Sequence, residues 1–108
     1  HGTGTPNNDL SEGTALRRIF GNNVPPFSSV KAFIGHTLGA SEGIEAVYSA
    51  LSVSCGYIYP NLNFGTEIQE INLAPETKFS EGNTIRNVLS NAFGFGGNDT
   101  TLVFSKYC

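Results

Sequence analysis

Apolar residues near the start of the chain recur at helical rather than alternating spacing: Leu10, Ala15, Leu16, Ile19 and Phe20 form an approximate stripe. Asp9-Leu-Ser-Glu12 has the form of a capping box, in which the two acidic side chains satisfy early helix amides. Arg17 and Arg18 favour the negative end of a helix, and Gly21 suits the residue just beyond it. The pattern predicts a helix over 9–20, followed by a loop over 22–27 that contains paired prolines. Ser29 to Ile34 alternates, with Val30, Ala32 and Ile34 on one face and Lys31 and Phe33 on the other, which predicts a strand. Ile44, Val47, Tyr48, Leu51 and Cys55 predict a second helix over 41–55. Gly39, Ala40, Ser41 and Gly43 keep its first turns narrow, at a propensity cost of about 1 kcal/mol per glycine. Helices that accept this cost are usually buried. Ile58 to Phe64, with Pro60, reads as an extended edge segment, and Thr77–Phe79 as a short strand within an irregular stretch. Arg86–Ala92 and Thr100–Ser105 are β-rich and bracket a glycine-rich turn, so they read as a hairpin. The fold class is α/β, with Val30–Ile34 and the hairpin in one mixed sheet and the 41–55 helix buried against it.

Composition narrows the classes without choosing among them. A chain of 108 residues fits one domain, 1–108, with a modest core, and 39% hydrophobic content is ordinary for a globular protein. A net charge of −3 without a basic run argues against nucleic acid as a partner. The apolar stretches are too short to span a bilayer and no secretory h-region is present, so cytoplasm is the default location. Cys55 and Cys108 make neither a disulfide framework nor a zinc site, and neither sits beside a base in sequence, so both read as inert.

Candidate chemistry gathers at three Gly-rich turns, two of which carry the chain's two histidines. His1 opens His1-Gly-Thr-Gly-Thr-Pro6, where glycines permit unusual backbone angles and Thr3 and Thr5 offer hydroxyls to a phosphate or a carbonyl-rich ligand. His36, in Lys31-Ala-Phe-Ile-Gly-His-Thr-Leu-Gly-Ala40, is placed at a strand-to-helix junction. Helix amides there favour a neutral ring and bound negative charge. Two neutral imidazoles on tight turns can donate N–H to one buried oxygen, which enolate chemistry requires. Each histidine also has a plainer reading, as a chain-end residue and as a satisfied core residue. Lys31, in an apolar strand, calls for a carboxylate partner, for which Glu45 is the candidate. Asn91-Ala-Phe-Gly-Phe-Gly-Gly97 reads either as a plain hairpin turn with core aromatics or as a glycine-hinged aromatic gate with amides facing an oxyanion.

Taken in order, these three motifs, with Glu45 nine residues after His36, resemble the β-ketoacyl-acyl-carrier-protein synthase family of the thiolase fold. The resemblance covers nearly the whole chain and corresponds to roughly the C-terminal quarter of such enzymes. It implies part of a five-layered αβαβα sandwich, incomplete without its N-terminal half, in a protein that forms homodimers. It also implies decarboxylative Claisen condensation of an acyl thioester with malonyl-acyl-carrier protein, in fatty-acid or polyketide synthesis. His1 and His36 would bind the malonyl thioester carbonyl. Lys31 would support the site through a charge network with Glu45, and the Phe95 amide would complete the oxyanion hole. Thr3 and Thr5 would contact the phosphopantetheine arm, the substrate carrier, with Phe93 also against substrate. No covalently bound cofactor is expected. Glu45, Ser90 and Asn91 fall where some members hold a monovalent cation.

The nucleophilic cysteine of the family has no counterpart here, so the segment alone is expected to be inactive and to associate with itself to cover apolar surface. Asn98-Asp99 replaces the family's Thr-Asn, and Glu42 occupies a usually small position, where it is expected to face solvent or the helix dipole. The competing readings are a non-catalytic partner subunit of the chain-length-factor kind and a small phosphate-binding module. Retention of both histidines and Lys31 argues against the first. The number of glycine turns and narrow helices argues against the second.

Overall fold

Helices and a single hairpin account for the regular structure in the computed structural model, which describes residues 1–107. In chain order these are α1 (Pro6–Phe20), α2 (Lys31–Ile34), a 3-10 turn at Leu38–Ala40, α3 (Ser41–Cys55), β1 (Asn87–Gly94) and β2 (Asn98–Ser105). Cys108, expected to be inert, lies outside the described residues. The chain divides into two compact units. One contains His1, His36–Ile58 and the chain from Phe79 onward; the other contains Gly2–Gly35 and Tyr59–Lys78.

In the second of these units, α1 starts three residues before the expected position. Thr5 caps it by accepting from the Asn8 amide at 3.4 Å, and Pro6 fills the first turn, where its missing N–H costs nothing. The Asp9–Glu12 box is therefore not the cap. Glu12 instead accepts from the Gly2 amide at 3.0 Å. Arg17 joins α1 to the 59–78 segment: Nε donates to the Ile71 carbonyl at 2.9 Å, Nη2 to the Asn72 carbonyl at 2.7 Å and Nη1 to the Gly21 carbonyl at 3.0 Å. Gly13 lies under Ile71, where an added Cβ would overlap the isoleucine's Cδ1.

The expected strand over 29–34 is a helix. Ile34 and Gly35 amides donate to the Val30 and Lys31 carbonyls at 3.2 and 2.7 Å, and Gly35 ends the turn at φ 77°. Six alternating residues are too few to separate a strand from one helical turn, and hydrogen bonding within the segment decided the matter. The mixed sheet is likewise corrected to a two-stranded antiparallel one among the described residues.

The other unit is built on that hairpin. β1 pairs with β2 from Asn87↔Ser105 to Gly94↔Asn98. A turn closes it through Gly97 N–H donating to the Gly94 carbonyl at 3.2 Å, with Gly96 at φ 84°, as the third position of a type II turn requires. The helix α3 packs on both strands. Its buried residues are Ser41, Ser49, Ser52 and Val53, and Ala92 is buried on β1. The expectation of a buried α3 holds for that face only. Val47 and Leu51 are exposed, and nothing lies within 4 Å of a Cβ built on Gly39 or Gly43. Gly56 ends α3 in the left-handed region at φ 70°, and its carbonyl accepts from the Asn83 amide and side chain at 3.2 and 3.0 Å. The extended segment expected over 58–64 and the strand expected at 77–79 reduce to one bridge, Ile58↔Ser80.

Candidate functional site

Both imidazoles belong to the hairpin unit. Their ring centroids lie 5.4 Å apart, with the planes nearly perpendicular at 84°. His36 follows the left-handed Gly35 and precedes the 3-10 turn, so it sits between two short helical segments rather than after a strand. Its Nδ1 accepts from the Leu38 amide at 3.1 Å. Leu38 itself has φ 53°, a left-handed conformation that costs a non-glycine residue on the order of 1 kcal/mol. His1 is held in the same way: its Nδ1 accepts from the Phe93 amide at 3.4 Å, and the Phe93 ring lies 5.5 Å from the imidazole. A neutral imidazole whose Nδ1 accepts a proton carries its own proton on Nε2. Both rings are thus set to donate through Nε2.

Glu45 stands one turn along α3 from Ser41, whose hydroxyl donates to Glu45 Oε1 at 3.3 Å. Ser90 and Asn91 are neighbours on β1, so their side chains point to opposite faces, and Asn91 Oδ1 already accepts from the Thr101 hydroxyl at 2.8 Å. No group of three or more acidic, histidine or cysteine residues fit for a metal occurs among the described residues. Phe95 is at the tip of the hairpin turn, 98% exposed, while Phe93 is the phenylalanine against His1.

Thr3, Thr5 and Lys31 belong to the other unit. The Thr3 and Thr5 hydroxyls are hydrogen-bonded at 3.1 Å, in a loop whose Gly2 and Gly4 have φ of 59° and 75°. A Cβ on Gly2 would strike Ser29. Lys31 is buried at the start of α2, and its amide donates to the Ser29 hydroxyl at 3.4 Å.

Cys55 is exposed at the end of α3. Its negative charge when ionised, and its hydrogen bond, hold the Tyr57 hydroxyl above the ordinary phenol range, with smaller contributions from desolvation and Glu81. An open groove of about 330 Å³ lies away from the histidines, lined by Ala50, Val53, Ser54 and Phe104–Tyr107. Sequence reasoning missed Leu38, Thr37 and the Glu42–Thr100 contact. No side-chain pattern marks a leucine as left-handed, and the buried Thr37 hydroxyl, which has no partner among the described residues, follows a histidine that drew all the attention.

The layout defines a class: an α/β segment that presents paired imidazoles beside a Gly-Phe hairpin. The chain belongs to the β-ketoacyl synthase family, whose C-terminal domain profile (Beta-ketoacyl synthase, C-terminal domain) matches residues 1–65. Among curated relatives, it is 40% identical to 3-oxoacyl-[acyl-carrier-protein] synthase 1 of Haemophilus influenzae over 99% of this chain and 27% of that protein. It is 44% identical to 3-oxoacyl-[acyl-carrier-protein] synthase 1 of Escherichia coli strain K12 over 98% of this chain and 26% of that protein. It is 38% identical to 3-oxoacyl-[acyl-carrier-protein] synthase 2 of a Synechocystis species over 99% of this chain and 26% of that protein. The chain thus spans about a quarter of the length of these relatives. No helix among the described residues is long and apolar enough to cross a membrane.

Proposed function

We propose that the chain is the C-terminal part of a 3-oxoacyl-acyl-carrier-protein synthase, and that His1 and His36 stabilise the enolate formed when a malonyl thioester loses carbon dioxide. The observation that carries this reading is the imidazole pair, 5.4 Å apart, each ring accepting a backbone amide at Nδ1. In the step proposed, the bond between the malonyl carboxylate carbon and Cα breaks, and its electron pair moves onto the thioester oxygen. Two Nε2–H donors aimed at that oxygen stabilise the charge where it develops, and each is worth about 3–4 kcal/mol in a water-excluded site. The enolate carbon then attacks an acyl thioester, a carbon–carbon bond forms and a cysteine thiolate leaves. That cysteine is assigned to residues outside this chain, a reading supported by Cys55, which is exposed at the C-terminal end of α3.

Thr3 and Thr5 are proposed to contact the phosphopantetheine arm of the acyl-carrier protein, with Phe93 against the thioester and the Phe95 amide in the oxyanion hole. Lys31 and Glu45 are proposed to act as supporting charges. Ser90 and Asn91 are proposed as supporting residues beside Glu45, where a monovalent cation would fit. The exposed Val47 and Leu51 and the open Gly39–Gly43 edge of α3 support its packing inside a five-layered αβαβα sandwich completed by an N-terminal half, in a homodimeric cytoplasmic protein.

The test is to supply the longer protein containing this chain with acyl- and malonyl-acyl-carrier protein, and to follow carbon dioxide and 3-oxoacyl product. Equal release of both is expected. Binding without turnover would identify a non-catalytic subunit instead.

A further inference from the structure

Glu42 is exposed in the first turn of α3, as expected of a carboxylate facing solvent and the helix dipole, and it also has a partner on the hairpin. From the first turn of α3 its Oε2 accepts from the Thr100 hydroxyl on β2 at 3.3 Å. Thr100 is directly opposite Ala92 in the hairpin register, so the two side chains share the face toward α3, where Ala92 is buried. Thr100 comes three residues after Gly97, the last residue of the turn that carries Phe95. On the other strand, the same turn is held two residues before Phe95, where the Phe93 amide donates to His1. The hairpin tip therefore has an anchor on each side: His1 on β1 and Glu42 on β2. Glu42 comes two residues after the 3-10 turn whose Leu38 amide donates to His36, so its bond connects the His36 turn to the phenylalanine turn.

From this we infer that Glu42 is a positioning residue, which acts through Thr100 to hold the Phe95 turn in register with the two imidazoles. The inference rests on the proposed function only for its kinetic consequence. The tether itself is a property of the fold. Between the anchors, the tip relies on glycines: Gly96 and Gly97 at φ 84° and 85° place no side chain against a neighbour. Such a segment has wide conformational freedom unless something beside it is fixed.

The experiment compares Glu42→Ala, Thr100→Val, the double variant and Glu42→Gln in the longer protein. It reads amide hydrogen exchange over residues 94–98 together with kcat and KM for the malonyl substrate. Loss of the tether is expected to speed exchange at Phe95–Gly97 about three- to tenfold. It is expected to lower kcat by a similar factor with little change in KM. The double variant is expected to match either single one, because both remove the same bond. Glu42→Gln, which keeps an acceptor oxygen but not the charge, is expected to stay close to the unaltered protein. The inference is overturned if exchange over the turn is unchanged in Glu42→Ala and Thr100→Val, or if Glu42→Gln behaves like Glu42→Ala. An unaltered protein that performs no condensation would refute the proposed function, while the exchange data would still judge the tether.

Discussion

Single residues do two kinds of work in this chain, and glycines with their neighbours show both. Leu38 has a left-handed backbone and its amide meets His36, whereas Gly56 occupies the same region without cost and ends α3. Gly56 has a second constraint: an added Cβ would overlap the Asn83 backbone, which cannot swing aside like a side-chain tip. Gly56→Ala therefore combines left-handed strain with a backbone clash and is expected to destabilise the fold by about 2–4 kcal/mol, measured by chemical denaturation. A loss under about 1 kcal/mol, no more than left-handed strain alone would cost, would show that the 80–83 segment yields freely. At this scale the sequence pointed to two histidines that the fold brings together, and it was silent about how they are held. His1 and His36 were legible from their turns, but the amides of Phe93 and Leu38 that orient them belong to backbone geometry, which side-chain identity does not encode.

Elements were legible in proportion to their length and to the punctuation around them. The helix α3, fifteen residues ending at Gly56, and the hairpin around Gly94–Gly97 were read nearly as they are. The six residues of 29–34 were not, because alternation over so short a run is compatible with a single turn of helix, and no neighbouring strand was available to reward extension. The start of α1 was misplaced for a similar reason. Thr5 and Asp9 both suit a cap, and Pro6 decided between them. In its own unit, α1 is fastened to the 59–78 segment by Arg17, two of whose nitrogens reach the Ile71 and Asn72 carbonyls while the third binds the Gly21 carbonyl at the end of α1. Arg17→Lys retains the charge but offers one ammonium where a planar fork is needed. It is expected to cost about 2 kcal/mol in thermal or denaturant unfolding. An unchanged midpoint would assign the fastening to Gly13 and Ile71 instead.

The fold class of the whole molecule was legible from its three turns, while its layering was not. In the hairpin unit β2 is exposed at Leu102 and Val103, and β1 at Leu89 opposite Val103. Apolar cross-strand pairs of this kind are normally covered. The 108-residue chain expressed by itself is accordingly expected to associate in sedimentation experiments and to take up no acyl groups from acyl-carrier protein. A stable monomer would count against the need for a second half. So would acyl uptake at ordinary turnover against the assignment of the nucleophile to residues outside this chain.

The central claim is that two imidazoles serve one oxygen, and the direct test is the rate of malonyl-thioester decarboxylation in the longer protein with His1→Ala, His36→Ala and both together. Each single change is expected to lower the rate about 10²–10³-fold. The double change is expected to lower it by far less than the product of the two, because the donors act as a unit. Either single variant decarboxylating at close to the unaltered rate, or losses that simply multiply, would contradict a shared site.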